Sequence, residues 1–559
     1  MLVAFAMPAV GQEPVFDELA DSVGLGFHHF SGATGKLYMA EIVGSGVAVF
    51  DLENDGDLDV YFVQGQPLDP SVGPQAALVP PRHPLPLTDR VYRNELVPAA
   101  GATARGLRFT DVTDAAGLSP GAYGLGVAAG DYDNDGLTDL YVAALGSNRL
   151  LRNQGDGRLV DVTAISGVDD SRWSVAAAFF DYDRDGWLDL WVVNYLDFTV
   201  AGRRHCIGPT GTSDYCDPSA FDPVKDRLFR NRRDGTFEDV STSAGIDRDA
   251  RPGLGIVTGD FDEDGWVDVY IGNDGDVNQL FMNQGDGTFR EDSLLAGCAV
   301  NAEGAAEASM GITAGDFDND GDEDLFITHL TRETNTLYRN QGGGFFGDAT
   351  QELGLGTPSW SVTGFGTAFL DFDNDGRLDL VSVNGGVTYF ASGVRRELAQ
   401  PNQLFRNVGD RFEDISASAG ASFGLEEMSR GLAAGDLDND GDTDLVLSNS
   451  AGPARLLINR HGAASGWIGL RLTGETGRDA LGARVDLLSG TRALGMRRVR
   501  TDGSYASASD PRVLFGLGEK VEGPLSARVR WPDGLVETFD GLEARQYTEL
   551  MRGTGRSES

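Results

Sequence analysis

One nine-residue pattern, Asp-x-(Asp/Glu)-x-Asp-Gly-x-x-Asp, recurs seven times and constrains the fold more than any other feature of the chain. The copies begin at Asp51, Asp131, Asp181, Asp260, Asp316, Asp371 and Asp436. Repetition on this scale means one supersecondary unit has been multiplied, with each unit burying its apolar face against its neighbours. The flanks repeat as well. A small, glycine-rich apolar stretch such as GLGVAAG or SVAAAFF precedes each copy, and a short apolar run such as LYVAAL or VYIGN follows it. These runs have strand length and composition and are too short for helices. A third strand ending in Asn comes next, as in RLLRN or QLFMN, then a turn and a fourth strand led by Phe or Leu. Four short strands per unit, at intervals of roughly 50 to 80 residues, predict an all-β chain built as a seven-bladed β-propeller. The 76 glycines, without collagen-like period, agree with a fold rich in turns.

The ring also has a predicted closure. Fourth-strand segments follow six of the third strands, at residues 109–118, 159–168, 237–246, 289–298, 346–355 and 412–421. None follows the seventh, yet an orphan copy, FDELADSVGL, occupies residues 16–25. The N-terminal segment is therefore expected to supply the outer strand of the last blade, removing two free edges.

Three carboxylates on alternate residues, a glycine at position 6 and a fourth carboxylate at position 9 can wrap one hard cation, and oxygen ligands suit calcium. The predicted ligand sets are Asp51, Glu53, Asp55 and Asp59; Asp131, Asp133, Asp135 and Asp139; Asp181, Asp183, Asp185 and Asp189; and Asp260, Asp262, Asp264 and Asp268. The remaining sets are Asp316, Asp318, Asp320 and Asp324; Asp371, Asp373, Asp375 and Asp379; and Asp436, Asp438, Asp440 and Asp444. Up to seven structural Ca2+ ions are expected. Two carboxylates ~4 Å apart repel by ~4 kcal/mol at an effective dielectric near 20, so four together call for a cation. An EF-hand is excluded, because position 12 is Phe62, Val142, Val192, Ile271, Ile327, Ser382 or Leu447, where that motif needs a bidentate Glu.

Charge follows the same division. The whole chain carries 86 acids against 45 bases, a net charge of −41. After residue 463 the composition shifts to 14 bases and 13 acids, so the excess belongs to the repeats. Such a chain is repelled by nucleic acid and anionic lipid, and neither is expected as a partner. The tail reads as alternating strands, WIGLRLTG, GARVDLLSG, RVLFGLG and ARVRWPDG, forming a small C-terminal β domain.

The loop signature and GFGTAFLD at residues 364–371 resemble the FG-GAP or VCBS repeat family, which includes the propellers of integrin α subunits. The likeness spans about residues 14–462 and implies calcium held in hairpin loops on one face of a ring. In the tail, LGARV at 481–485, FGLG at 515–518 and WPDG at 531–534 resemble the ASPIC and UnbV domain. Repeats followed by this domain are similar to the cartilage acidic protein family and its bacterial relatives, a resemblance that implies architecture more than activity.

The expected division is a secretory-signal remnant at 1–13, the propeller at 14–462, the C-terminal β domain at 463–552 and a disordered tail at 553–559. Cys206 and Cys216 lie ten apart in a loop-like insertion and are expected to form a disulfide in an oxidising compartment, whereas Cys298 reads as a small buried hydrophobe. No run of 18 apolar residues is present, so no transmembrane segment is expected. The sequence contains no nucleophile elbow, His-Glu-x-x-His or phosphate loop, and its six histidines, His28, His29, His83, His205, His329 and His461, are scattered. The expected function is therefore not enzymatic. It is calcium-dependent binding or adhesion to a protein or glycan, in an extracellular, periplasmic or cell-surface setting. The insertions at 64–90 and 195–226 are the expected contact loops. An extracellular hydrolase or lyase working through the channel, and a scaffold in a surface assembly, are the alternatives. The sequence does not specify the partner or the oligomeric state.

Overall fold

The computed structural model describes residues 14–69, 71–98, 105–208, 211–388, 398–518 and 523–557. The expected signal remnant at 1–13 lies outside the described residues. Among the described residues no helix is long and apolar enough to cross a membrane.

The repeats build seven four-stranded antiparallel sheets among the described residues. In the second, Tyr123–Gly130 pairs with Asp139–Leu145, which pairs with Arg149–Asn153, which pairs with Leu159–Asp161. The first strand is buried along its whole length, while the fourth buries only its leading residue. First strands of successive sheets pack side by side in a closed circle, the seventh, Ser429–Gly435, returning to the first, Val47–Phe50. That crowding explains the glycine-rich stretches. Five residues before each loop stands Gly46, Gly126, Gly255, Gly311, Gly366 or Gly431, with Ala176 in the third repeat. A Cβ on Gly311 would come within 1.9 Å of the Phe365 carbonyl oxygen, and one on Gly126 within 2.1 Å of that of Val175.

The fourth strands are shorter than expected. Leu159–Asp161, Phe237–Asp239 and Phe289–Glu291 each have three residues and give way to a one-turn helix ended by a left-handed glycine, Gly167, Gly245 or Gly297. The glycine that closes each segment is thus a helix C-cap. At the seam, Phe16–Glu18 pairs antiparallel with Arg455–Asn459, Phe16 opposite Asn459, and forms the outer strand of the last sheet. The two ends of the repeat region therefore share one sheet.

A second hydrogen-bond set ties each sheet to the one before it. The Nδ2 of the asparagine ending each third strand donates to the backbone carbonyl at loop position 2 of the preceding sheet. Asn153 reaches Leu52, Asn231 reaches Tyr132, Asn283 reaches Tyr182 and Asn340 reaches Phe261, all at 2.8–2.9 Å. Asn407 reaches Phe317 and Asn459 reaches Phe372, and Asn94 closes the circle on Leu437.

The C-terminal domain is two sheets. One orders Val513–Gly518, Gly466–Thr473 and Tyr547–Met551; the other orders Arg492–Arg498, Arg484–Ser489, Leu525–Arg530, Val536–Leu542 and Arg556–Ser557. Of the tail expected to be disordered from 553, Arg556–Ser557 forms a strand, and 558–559 lie outside the described residues. Arg556 and Ser557 pair with Thr538 and Glu537, because the Gly553 N–H bonds Glu537 Oε2 and turns the chain back onto that edge.

Between Arg492–Arg498 and Val513–Gly518 the chain leaves this domain and enters the channel of the ring. Residues 501–510 bond to first strands of six of the seven sheets. Val49, Val127 and Ile312 donate their N–H to the carbonyls of Ala508, Ala506 and Ser504, and Asp510 donates to that of Ala434. Thr258 and Thr367 donate to Asp502 Oδ2 and Ser504 Oγ. Small residues fit this path, and Gly46 is a position where a Cβ would meet Ala506 O at 2.1 Å. Tyr505, fully buried, donates its hydroxyl to Val43 O at 2.7 Å and packs edge-on to Phe365. Asn340→Ala should remove bonds to Phe261 O, Glu323 O and the Gly342 N–H while leaving buried groups unpaired. A loss of ~1–3 kcal/mol in urea unfolding is expected, and an unchanged midpoint would contradict a stitching role for this asparagine.

Candidate metal centres and the opposite axial face

Each nonapeptide is folded by its own carboxylates. Asp131 accepts the N–H groups of Asp135 and Gly136, at 3.2 and 2.8 Å, and Asp135 accepts that of Leu137 at 3.1 Å. Asp139 accepts from Tyr132 N–H within the loop and from Asn153 N–H on the third strand. The same bonds recur from Asp51 to Asp436, as in Gly56 to Asp51, Gly186 to Asp181 and Gly441 to Asp436. Positions 4 and 6 are both left-handed. Position 6 is always glycine, and position 4 is Asn54, Asn134, Asn319, Asn374 or Asn439 in five copies and Arg184 or Glu263 in the others. Asparagine is among the few non-glycine residues that visit that conformation, and here its side chain reaches the next loop, as Asn134 Nδ2 donates to Gly186 O at 3.0 Å.

The folding brings positions 1, 3 and 9 together. Oxygens of Asp131, Asp133 and Asp139 lie within 4.8 Å of one another, as do those of Asp181, Asp183 and Asp189; of Asp260, Asp262 and Asp268; and of Asp371, Asp373 and Asp379. In a fifth loop the group is Asp316, Asp318 and Asp320. Position 3 also leaves an oxygen without a hydrogen-bond partner: Oδ1 of Asp133, Asp183, Asp373 and Asp438 is buried and unsatisfied. Such an oxygen costs free energy unless a cation completes it. Burial pushes the position-1 carboxyls up, Asp131 and Asp436 to about 6 and Asp181, Asp316 and Asp371 to about 7. Burial holds Asp139, Asp189 and Asp379 at position 9 well above the usual range. Clustered oxygens, an unsatisfied acceptor and strongly desolvated carboxyls together fit a hard divalent cation.

The C-terminal domain docks on this loop-bearing face, and its arginines make the contact. Arg484 pairs with Glu263, and Arg498 and Arg500 both pair with the buried Glu323. Burial opposes ionisation of Glu323, but the two guanidiniums hold its carboxyl below the ordinary range. Arg512 donates to Asn439 Oδ1 and Asp436 O at 2.7 and 2.8 Å, Tyr547 donates to Asp436 Oδ2 at 2.9 Å, and Arg530 approaches Asp260 at 3.8 Å. A near-neutral charge count conceals this one-sided placement of bases.

On the opposite axial face the insertions converge. A Cys206–Cys216 disulfide closes the hairpin of Cys206–Ile207 and Ser213–Asp214. Its Tyr215 and Cys216 join an apolar cluster with Tyr38, Met39, Trp173, Tyr195, Phe365 and Tyr505, the last coming from the C-terminal domain through the channel. A cavity of about 460 Å3 opens beside them. Within its wall the Tyr195 hydroxyl donates to Asp274. Cys298 is a buried free thiol, pushed up by desolvation. His28, His29 and His329 are buried, His329 bonding Ala308 O through Nδ1 at 3.0 Å, an arrangement that serves packing.

The family model described as FG-GAP-like repeat matches residues 131–192, 219–271, 260–327 and 316–382, and that described as ASPIC and UnbV matches 473–557. The chain is 27% identical over 299 residues to cartilage acidic protein 1 of Xenopus tropicalis, covering 51% of this chain and 42% of that protein. It is 26% identical over 337 residues to the Homo sapiens protein, covering 59% and 47%. The chain thus spans under half the length of the curated relatives it matches. Among solved structures, similarity extends to the BP39L lectin from Burkholderia pseudomallei, with a TM-score of 0.43 and 13% identity over 75% of this chain and 97% of that one. YCF48 bound to D1 peptide gives a TM-score of 0.40 and 6% identity, covering 82% and 100%.

Removal of divalent ions with excess chelator should lower the melting temperature, since ions bound only to the native state stabilise it by mass action. The sign of the pH dependence also follows. Position-1 carboxyls raised in the fold favour the native state when protonated, so their contribution is full below about 4 and is lost as pH rises through 6 to 7. In chelator, the melting temperature should therefore rise as pH falls from 8 to 5. With saturating divalent ion that rise should disappear. Calorimetry checks both, and indifference to chelator would contradict cation binding.

Proposed function

From the premise that this chain joins FG-GAP-like repeats to a C-terminal ASPIC and UnbV domain, we propose that it is a calcium-stabilised binding module working outside the cytoplasm. The seven sheets are read as seven propeller blades, each loop taking one Ca2+ through positions 1, 3, 5 and 9. The calcium is structural, because the loops that would hold it face the chain's own C-terminal domain. One observation carries the binding reading: that domain covers the loop face and fills the channel with residues 501–510. The opposite axial face, with its disulfide-closed insertion, is left for a protein or glycan partner. A route for a polymer through the channel has no support, because the Tyr505 segment occupies it. The acid pairs of the loops are accounted for by cation binding, so catalysis is not part of this reading. The disulfide supports an oxidising compartment.

Glycan and peptide arrays probed with the calcium-loaded chain, and again after calcium is removed with EGTA, test the proposal. Retention of a defined subset of ligands in calcium and its loss in EGTA is expected. Turnover of a polymer substrate, or an array without any binder, would overturn it.

A further inference from the structure

We infer that the axial cavity opposite the loop face binds an organic cation, an ammonium or guanidinium group carried on an apolar stem. The inference rests on the reading of that face as the binding face and assigns its ligand chemistry.

The cavity, about 460 Å3, has the size of a small-ligand site. Its floor is aromatic and soft, formed by Tyr505, Phe365, Tyr195, Met39 and Met310. Rings and thioethers offer polarisable surface to an apolar stem, and ring faces attract a cation. The charged groups in the wall are all acidic: Asp214, Asp217 and Asp274, with no Lys, Arg or His among the described lining residues. The nearest guanidinium, that of Arg430, already covers one face of the Phe365 ring, which leaves the Tyr505 and Tyr195 rings beside Asp274 for a cation. Arg430 lies 3.9 Å from the Phe365 ring but is fully buried, donating to the carbonyls of Ile42, Gly385, Gly386 and Ser429. Arg204 sits over Phe221 at 5.1 Å.

Asp274 is the anchor. Its carboxylate accepts the Tyr195 hydroxyl, a bond that orients it. Burial and the neighbouring charges of Asp217 and Glu333 all disfavour its ionised form. A bound cation relieves all of these at once. A carboxylate ligand would meet three like charges, and a neutral one would bury Asp274 without compensating it. The walls are already set in place. The disulfide fixes one side, and Tyr505 is pinned to Val43 O, so ordering costs on binding are small.

Three probes of matched shape separate charge from shape: 2-phenylethylamine, 2-phenylethanol and 3-phenylpropionate, titrated calorimetrically into the calcium-loaded full chain. The amine should bind about tenfold or more tighter than the alcohol, and the carboxylate should give no heat. Asp274→Asn should weaken the amine by about tenfold. Asp217→Asn, at an exposed position, should weaken it by a smaller factor with an unchanged melting temperature, which covers the case in which Asp274→Asn perturbs the fold. Equal binding of amine and alcohol, or amine affinity unaltered in both variants, would overturn the assignment. A calcium-dependent array ligand that the amine fails to displace would also overturn it while leaving the wider binding reading intact. Charge-selective amine binding in a chain that retains no array ligand would support the cavity and remove the macromolecular partner instead.

Discussion

One asparagine in every repeat ties its sheet to the one before it. The asparagine that ends each third strand gives its N–H to the position-9 carboxylate of its own loop and its Nδ2 to the loop of the preceding sheet, as in Asn283 to Asp268 and Tyr182. Strand pairing alone would give seven separate sheets with exposed edges. Apolar clusters shared by neighbouring sheets and these asparagine bonds together make the circle, which closes where Asn94 reaches Leu437. The same bonds fix position 9 in place, so the geometry of each acidic cluster depends on the sheet contact behind it. Ring closure and cation site are thus one structural device.

The channel follows from that closure. Seven first strands meeting around an axis leave room for little, and the glycines five residues before each loop set how near they come. The ring does not leave the channel empty. The C-terminal domain sends residues 501–510 into it, bonded to first strands much as an added strand would be, and Ala48 and Ala508 form a parallel bridge. Domain and ring therefore share a core, and Tyr505 links the acidic loop face to the insertions on the far side.

How much of this was legible in the sequence depends on the range of the interaction. Strands, loops and ring closure are written locally: the nonapeptide, the terminal Asn and the orphan copy at 16–25 each repeat a visible pattern. The Asn was read as a strand end, yet its recurrence at all seven positions was also the trace of the inter-sheet bond. The channel segment was not legible. TDGSYASASDP has no alternation or periodicity, because its residues answer to six different sheets. Nor was the docking of Arg484, Arg498, Arg500 and Arg512, since a charge count averages over the faces of a domain. The cavity on the far face joins residues from 39 to 505, and no local pattern marks such a meeting.

The docking also bears on how the acidic loops tolerate both an ion and an arginine-rich neighbour. A divalent cation bound there would cancel two of the four carboxylate charges in a loop. Arginines of the ring pair with positions 3 and 5, as Arg152 does with Asp133 and Asp135, while from the C-terminal domain Arg478 lies within electrostatic reach of Asp131 and Asp181, and Arg497 within reach of Asp316 and Asp371. Both guanidiniums are partly buried, and desolvation works against their charge; the adjacent carboxylates of two loops offset part of that effect. Loops emptied of cations would attract these arginines more strongly yet repel one another. One guanidinium from the C-terminal domain thus faces the carboxylates of two loops at once.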